Sequence, residues 1–568
     1  MRPLCAVVLV PACLCTAGCD STGPEITDSD IFTCEFHVAY PRPGWDLLVS
    51  GDTARATVVA RYSNGELVLD FVPEWSSRDS SIVTVDSAGL LTAHAGGYVV
   101  VDASHCSGAL GIEVLAPPTR LHLLPGPLAL LPGNHALVLA SFDGYDAPEP
   151  RDSFFVQFLT WRSDAPTIAR TEQELGDAWW GGTGAEWWKS VEALEEGSAA
   201  IIATVWNLED TLPVGVARAE LGPPVAGSWT AFAVGSDASV YCWPCFVSHY
   251  PRGRTTGPAP VRAFSGISFV RLSAGGSVCG LTAAGALYCA GSPPYGAYAD
   301  SGPTAISPGT SFNSVSVGAT HACARAVDGA VSCWGWNDED QLGVDSTGEI
   351  CDIIMGKELT GQVPCSTAPR ALDVSPAFAT VGAGASLSCG LTGAGTLYCW
   401  GHHYGLPPVQ VGDGTWYSLA LGGRSGQPFN CALDAQGGAS CWGSAPAGLG
   451  DGAATESWTP VAVAGGHAFI AVSVGSTACG LTGEGDVYCW GGVDADHQPP
   501  LSALPQLVGG GITFTSIDVG DGFACGYGTD GDVWCWGSNL SGQLGVPGAG
   551  VPGGTDYAAT PVKVLGQK

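Results

Sequence analysis

Residues 525–545 read CGYGTDGDVWCWGSNLSGQLG: a short strand, a tight turn, a second strand and a glycine-rich exit. The same plan returns along the chain. Six copies share two cysteines with nine residues between them: Cys279 and Cys289, Cys323 and Cys333, Cys389 and Cys399, Cys431 and Cys441, Cys479 and Cys489, Cys525 and Cys535. A seventh, earlier copy is FAVGSDASVYCW, 232–243, where Phe232 stands in place of the first cysteine and Cys242 keeps the second. First cysteines fall 44, 66, 42, 48 and 46 residues apart. A period of about 40–50 residues marks a propeller blade or another stacked unit.

Each copy predicts a β-hairpin. In CGLTAAGALYC, Cys279 faces Cys289 and Leu281 faces Leu287 if Ala283, Ala284 and Gly285 form the loop. Such a loop favours a left-handed residue last, which glycine supplies without steric cost. Gly329, Gly395, Gly437, Gly485 and Gly531 keep that place. Opposed cross-strand residues bring their Cβ atoms to about 4.5–5.5 Å, close enough for a disulfide. A zinc reading is weaker, because structural zinc sites use closely spaced cysteine pairs and here each pair satisfies itself. Both faces of the hairpin are apolar: the cysteines with Leu281 and Leu287 on one, Tyr398 with Trp400 or Tyr488 with Trp490 on the other. A blade sandwiched between two blades needs such a strand.

The pattern resembles the regulator of chromosome condensation repeat family. Trp536-Gly537-Ser538-Asn539 with Gly542-Gln543-Leu544-Gly545 carries the resemblance, as does Trp334-Gly335-Trp336-Asn337 with Gln341-Leu342-Gly343. Partial versions are Trp400-Gly401, Trp442-Gly443 with Gly448-Leu449-Gly450, and Trp490-Gly491. The preceding strands FNSVSVGATHAC (312–323) and FTSIDVGDGFAC (514–525) fit too. The resemblance covers residues 223–566 and implies a seven-bladed β-propeller. It is degraded at Trp243-Pro244 and Ala290-Gly291, and the family's histidine keeps its usual place only at His321. PPVAGSW (223–229) makes a poor first strand, since its two prolines cannot donate to a ladder. TPVKVLG (560–566) is a good β segment with no later hairpin of its own. It is expected to join the sheet of the first repeat or to seal the seam beside it.

Composition agrees with an all-β chain. Among 568 residues, 82 are glycine and only 13% are charged, which suits turn-rich β structure. The length predicts several domains. The net charge is −32 and no basic patch forms, which argues against nucleic-acid binding.

Residues 1–19 read as a targeting segment. Arg2 precedes an apolar run, Leu4–Leu14, that is too short to span a bilayer. TAGC, ending at Cys19, resembles a bacterial lipobox, with Thr16 in place of the usual leucine. The expectation is a lipid-anchored envelope protein, with plain secretion as the alternative. Residues 20–29 read as a tether. Eighteen cysteines follow Cys19, enough for nine bridges in an oxidising compartment. Beyond the six hairpin pairs, Cys34 and Cys106 sit near the ends of the first domain, Cys351 and Cys365 close an insertion, and Cys242 and Cys245 remain. A redox reading of CWPC lacks the βαβ context it needs, so Cys245 takes the place of the missing blade cysteine.

Residues 30–116 show short β runs with Gly and Asp turns. Trp75, Val85-Asp86, Gly89 and Gly96-Gly97 resemble the bacterial Ig-like domain of group 2, which implies a β-sandwich. Residues 117–222 repeat the plan loosely and read as a second, diverged Ig-like domain. Within it Trp179, Trp180, Trp187 and Trp188 fall in an expected loop, either capping the sandwich or forming an exposed aromatic binding patch.

The insertion near 338–370 carries an acidic run, NDEDQLGVDSTGE. Its spacing departs from a calcium-binding loop, and a solvated loop is the simpler reading. As the largest irregularity of the repeats, it is the first candidate for partner contact, with Trp336, Asp338 and Asp340 as candidate residues. His402 and His403 are adjacent and would point to opposite faces of a strand.

No zincin, nucleophile-elbow, phosphate-loop or dinucleotide fingerprint occurs. No catalytic residue, cofactor or metal site is assigned. The expected function is a monomeric protein-binding or scaffolding module, whose membrane contact comes only through its lipid. A secreted bacterial propeller with similar repeats inhibits beta-lactamases, so inhibition of a secreted hydrolase is the first alternative. An enzyme acting on polysaccharide is the second. Guanine-nucleotide exchange, as in the nuclear member of the family, is not expected of an exported chain.

Overall fold

The computed structural model describes residues 32–568 apart from 42–46, 69–70, 116–119, 125, 144–158, 173–187, 206–207, 245–254, 257–258, 265, 292–302, 346, 356–357, 373–375, 425, 493–501 and 548–555. Every regular element among the described residues is a β-strand. The chain divides into two compact units. The first runs to Arg120 and includes Phe142 and Asp143; the second takes up the other described residues from Leu121 onward.

The first unit is two four-stranded sheets. One runs in the order Thr33–Ala39, Thr53–Arg61, Leu90–Ala93, Val83–Val85. The other runs Leu48–Val49, Ala109–Leu115, Gly97–Ala103, Trp75–Ser77. Alternating residues of both bury in one core, including Leu48, Leu91, Val101 and Ile112, with Trp75 packed at its side. Gly89 closes the hairpin at φ +77°, and a Cβ there would lie 2.4 Å from the Ala56 carbonyl oxygen. Cys34 and Cys106 are bridged.

The second unit opens with two more sheets, one built on Gly197–Val205 and Leu208–Val216, the other on Trp188–Ala193 and residues 135–141 of the strand His135–Asp143. Thr255–Thr256, from a later loop, adds to the latter by pairing with His135 and Ala136.

Seven antiparallel sheets then follow among the described residues. Their innermost strands are Leu221–Ala226, Phe269–Ala274, Phe312–Val317, Phe378–Ala383, Ser418–Arg424, Phe469–Val474 and Phe514–Val519. In each sheet the hairpin and an outer strand follow in chain order, and the third sheet carries a fifth strand. The hairpin register is the one expected: Cys279 faces Cys289 and Leu281 faces Leu287. The loop glycines take positive φ throughout, from +78° at Gly285 to +96° at Gly329.

The hairpin cysteines are bridged as their opposition implies. Cys279 joins Cys289, Cys323 joins Cys333, and Cys389 joins Cys399, with Cα atoms 4.0–4.1 Å apart. Cys431 joins Cys441, Cys479 joins Cys489, and Cys525 joins Cys535 at the same 4.0–4.1 Å. Phe232 lies directly opposite Cys242, in the place the missing cysteine would occupy. Cys242 is disulfide-bonded, while Cys245 lies outside the described residues.

Adjacent sheets are joined in three ways. Apolar packing comes first. The hairpin of one sheet, with its disulfide, packs on the Phe and Trp of the next, as where Cys479, Leu481 and Val487 meet Phe514 and Trp536. Trp243, Trp334, Trp400, Trp442 and Trp490 are fully buried in this way. Truncating such a residue to Ala costs about 3–5 kcal/mol.

Close backbone contact is the second. At the ends of the inner strands a main-chain N–H reaches the next sheet's glycine carbonyl: Ser228 to Gly275, Gly276 to Gly318, Ala319 to Gly384, Gly423 to Gly475 and Ser476 to Gly520, at 2.8–3.1 Å. A Cβ on Gly318 or Gly475 would lie 2.1 Å from the neighbouring carbonyl oxygen, so these positions admit only glycine. The third is a side-chain acceptor. The hydroxyls of Ser273, Ser316 and Ser473 accept the N–H of Val317, Ala383 and Val519, each at 3.0 Å.

The seventh sheet returns to the first by the same devices. A Cβ on Gly520 would meet the Gly227 carbonyl oxygen at 2.4 Å, Asp518 accepts the Ala226 N–H at 2.8 Å, and Phe523 and Cys535 share a core with Ala231 and Trp243. The arrangement is propeller-like and all-β.

Two expectations are corrected here. The C-terminal segment does not enter the sheet of the first repeat. Tyr557–Lys563 pairs with Val533–Ser538 as the outer strand of the seventh sheet. The first sheet is complete without it, because Leu221–Ala226 pairs with Ala231–Gly235 and accommodates its two prolines at an irregularity between Leu221 and Pro224. The seam role does hold for the last residues. Ala219 donates to the Gly566 carbonyl at 3.0 Å, Lys568 donates back to Ala219 at 3.1 Å, and the buried Gln567 amide bonds both the N–H and the C=O of Val533. The insertion is the second correction. Glu349–Met355 and Glu358–Ala371 form an antiparallel hairpin with Cys351 bridged to Cys365; the three isoleucines of EICDIIM favour a strand.

Candidate partner-binding face

Antiparallel order sets which loops share a side. The inner strands end at the ring of glycines, and the third strands return to that same side at their Trp-Gly pairs. The insertion hairpin leaves from there, as do the turns that follow Trp334-Gly335 and Trp536-Gly537.

These turns are built around two buried amides. Asn337 Oδ1 accepts the Leu342 N–H at 2.9 Å while its Nδ2 donates to the Val344 carbonyl at 3.0 Å. Gln341 Oε1 accepts the Glu339 N–H at 2.8 Å, and its Nε2 donates to Asp338 at 3.0 Å. Asn539 and Gln543 repeat the first three of these bonds with Leu544, Val546 and Ser541. Residues 337–344 of the acidic run are therefore a hydrogen-bonded turn, with Asp338 and Glu339 exposed on it. Asp340 sits in it at φ +62°. Among the described residues no group of three or more metal-ligating side chains comes together.

The turn is tied to the fourth sheet. The Gln341 carbonyl accepts both Trp400 Nε1 at 3.1 Å and the Ser388 hydroxyl at 2.9 Å. Ser388 lies 2.7 Å from His321 Nε2. Since Ser388 gives its own proton to Gln341, it accepts from His321, whose imidazole is neutral. Complete burial holds the His321 pKa down at about 3. His321 is thus a structural link between sheets.

His402 and His403 are not on a strand. They occupy the turn after Leu397–Gly401, because a Trp-Gly pair ends the third strand in this repeat. His403, at φ +69°, stacks on Trp458 with ring centroids 3.9 Å apart and planes 9° from parallel. The Tyr404 hydroxyl donates to the Trp458 carbonyl at 2.9 Å, and burial raises its pKa. Trp458 Nε1 donates to Glu456 at 2.9 Å. His402 Nδ1 lies 3.4 Å from Glu339 Oε2. The result is an aromatic and imidazole platform with carboxylates at its rim, continuous with the acidic turn.

Of the candidate residues, Asp338 and Asp340 lie on this turn, and Trp336 lies at the root of the insertion, opposite Cys365. Trp188 belongs elsewhere, as the first residue of a strand that pairs with His135–Asp143, opposite Leu139. Trp179, Trp180 and Trp187 lie outside the described residues, as does Cys19. Sequence reasoning missed the platform. WGHHYG (400–405) carried one signal for it, the Trp-Gly pair that places the next residues in a turn. Trp458 carried none, since the outer strand of the next sheet supplies it.

Comparison with known proteins places the repeat. The family model described as regulator of chromosome condensation (RCC1) repeat matches residues 312–341 and 514–543. These are the third and seventh sheets from inner strand to glutamine, the two copies that carry both amides. In these two segments the chain carries an RCC1-like repeat. Similar solved structures include human WBSCR16, at 20% identity over 55% of this chain and 86% of that chain with a TM-score of 0.43. Prp20p from Saccharomyces cerevisiae, studied with its binding to Gsp1p and histones, aligns at 16% identity over 52% and 80% with a TM-score of 0.42. The ectodomain of the Physcomitrella patens receptor kinase CR4 aligns at 21% over 56% and 74% with a TM-score of 0.36.

Proposed function

We propose that this chain is a protein-binding or scaffolding module in which two Ig-like sandwiches carry a seven-bladed propeller, exported and tethered through lipid on Cys19. The observation that carries the binding role is the platform of His403 stacked on Trp458, joined through His402 and Glu339 to the acidic turn. Partly exposed aromatic groups held by rigid partners make low-entropy contacts and are typical anchors of protein interfaces. The sheets beneath are stapled by disulfides, so the face is preorganised and loses little freedom on binding. The bridges described above are compatible with an oxidising, extracellular setting.

The test is affinity capture from an envelope extract of the source organism with the immobilised full chain. A double variant His403→Ala, Trp458→Ala is expected to retain less than a tenth of a partner held by the wild type. Equal retention would show that this face is not the one used. In the same cells Cys19→Ala is expected to move the protein from the detergent phase to the aqueous phase; continued partitioning would remove the lipid tether from the reading.

A further inference from the structure

The outer strands of six of the seven sheets are blunted. Thr304–Ile306 and Gln506–Leu507 are short, Val261–Phe264 has four residues, and the remaining three contain Pro407-Pro408, Pro460 and Pro561. Short edges and prolines are how soluble proteins prevent unwanted strand pairing. The third sheet departs from this. Its outermost strand, Glu349–Met355, has seven residues, no proline, and the sequence EICDIIM.

Its free hydrogen-bonding groups can be placed. The Pro364 carbonyl accepts the Asn337 N–H at 2.8 Å, so the Pro364 main chain faces the strand Val331–Trp336. Ile350 lies opposite Pro364 on the other side. In an antiparallel pair, the N–H and C=O of one residue point the same way and alternate along the strand. Ile350 therefore turns its N–H and C=O outward, and Asp352 does the same two residues on. The sheet ends at this strand among the described residues. The Ile350 side chain is 63% exposed. The Cys351–Cys365 bridge pins the strand to its neighbour, so the edge is presented in a fixed position.

We propose that Ile350–Asp352 is a docking edge for an extended, basic segment of a partner protein, which adds to the third sheet as a further strand. The proposal rests on the protein-binding reading above. Charge selects the occupant. Asp352 is exposed on the edge strand itself, whereas the Glu349 carboxylate turns to its own sheet, accepting from Thr367 and lying 3.3 Å from Arg370. Asp352 accepts from the Gln362 amide at 2.8 Å, which fixes its carboxylate at the edge. Ile350 and Asp352 share one face of the strand, so lysine or arginine opposite Asp352 with a β-branched residue opposite Ile350, two places away on that face, matches a strand added to an edge. A second copy of this chain would bring the same carboxylates and a net charge of −32, which opposes self-pairing.

The probe is a fluorescein-labelled peptide, Lys-Val-Thr-Val-Lys-Val-Lys, titrated into the full chain with anisotropy as the readout, beside the same peptide with Glu for Lys. The basic peptide is expected to bind at least tenfold more tightly and to slow amide exchange at Ile350 and Asp352. Ile350→Pro removes an outward N–H that no ladder bond uses, so it should weaken binding at least tenfold and leave the melting temperature unchanged. Asp352→Lys should reverse the preference for the two peptides. Wild-type affinity in both variants, no protection at Ile350 and Asp352, or no binding of the basic peptide would overturn the proposal. So would self-association by sedimentation that Ile350→Pro abolishes. If Ile350→Pro retains a captured partner that His403→Ala, Trp458→Ala loses, the binding face stands and the docking edge falls.

Discussion

His321 shows how much one side chain can be constrained by its neighbours. Its Nε2 bond to Ser388 and its burial keep the ring neutral, with a pKa of about 3. A folded-state value below the unfolded one means that the unfolded chain takes up the proton first. Stability from this residue is full above about pH 6.5 and is lost as pH falls toward 3. Each unit of that gap corresponds to about 1.4 kcal/mol, so the loss amounts to several kcal/mol. His321→Gln keeps a donor toward Ser388 and removes the titration. Denaturant unfolding of the two proteins from pH 7 to 4 should show the wild type losing stability faster; parallel curves would mean His321 is protonated in the fold. Asp518 is shifted the other way. Burial raises its pKa, against the bonds it accepts from Ser473 and Ala226, and it stands where three other seams use serine.

At the scale of the element, the repeating unit is a hairpin closed by a glycine turn and a disulfide. In four sheets the residue after the first cysteine is glycine because the inner-strand phenylalanine lies over it: a Cβ on Gly280, Gly390, Gly480 or Gly526 would come within 2.3–2.5 Å of that ring. The bridge closes a loop of about ten residues, worth roughly 2–3 kcal/mol. Cys479→Ala with Cys489→Ala is expected to lower the unfolding free energy by about that much while the register Leu481–Val487 is kept. Near-wild-type stability would show that packing alone holds the hairpin. This element was legible in the sequence down to its register, because turn glycine, alternation and opposed cysteines all lie within a dozen residues. The insertion hairpin was not read as strands. Its acidic approach resembles a solvated loop, and the amides of Asn337 and Gln341 that order that approach act through bonds no pattern displays.

For the whole molecule, the decisive feature is how the last sheet meets the first. Asp518, Gly520 and Gly545 repeat at that seam the contacts found at the others; a Cβ on Gly545 would lie 3.1 Å from Trp243, as one on Gly343 would lie 3.0 Å from Trp400. The chain end then adds Gln567 to Val533 and Lys568 to Glu220 at 2.8 Å. Deleting residues 558–568 would remove the outer strand of the seventh sheet and that clamp together. The melting temperature of the second unit should fall by several degrees and aggregation should rise from the newly open edge, while the first unit melts unchanged. An unaltered profile would show that the inner strands close the seam unaided.

The sequence alone determined the all-β class, the repeat, the hairpin register and which cysteines face each other, since these depend on near neighbours and on a period that survives divergence. Tertiary structure decided which sheet the tail joins, that the insertion is paired, and that His403 lies on Trp458, a residue from the next repeat. The first two rest on strand pairing within the seventh and third sheets and the last on a contact between successive sheets, where packing selects one arrangement among several that local patterning allows equally.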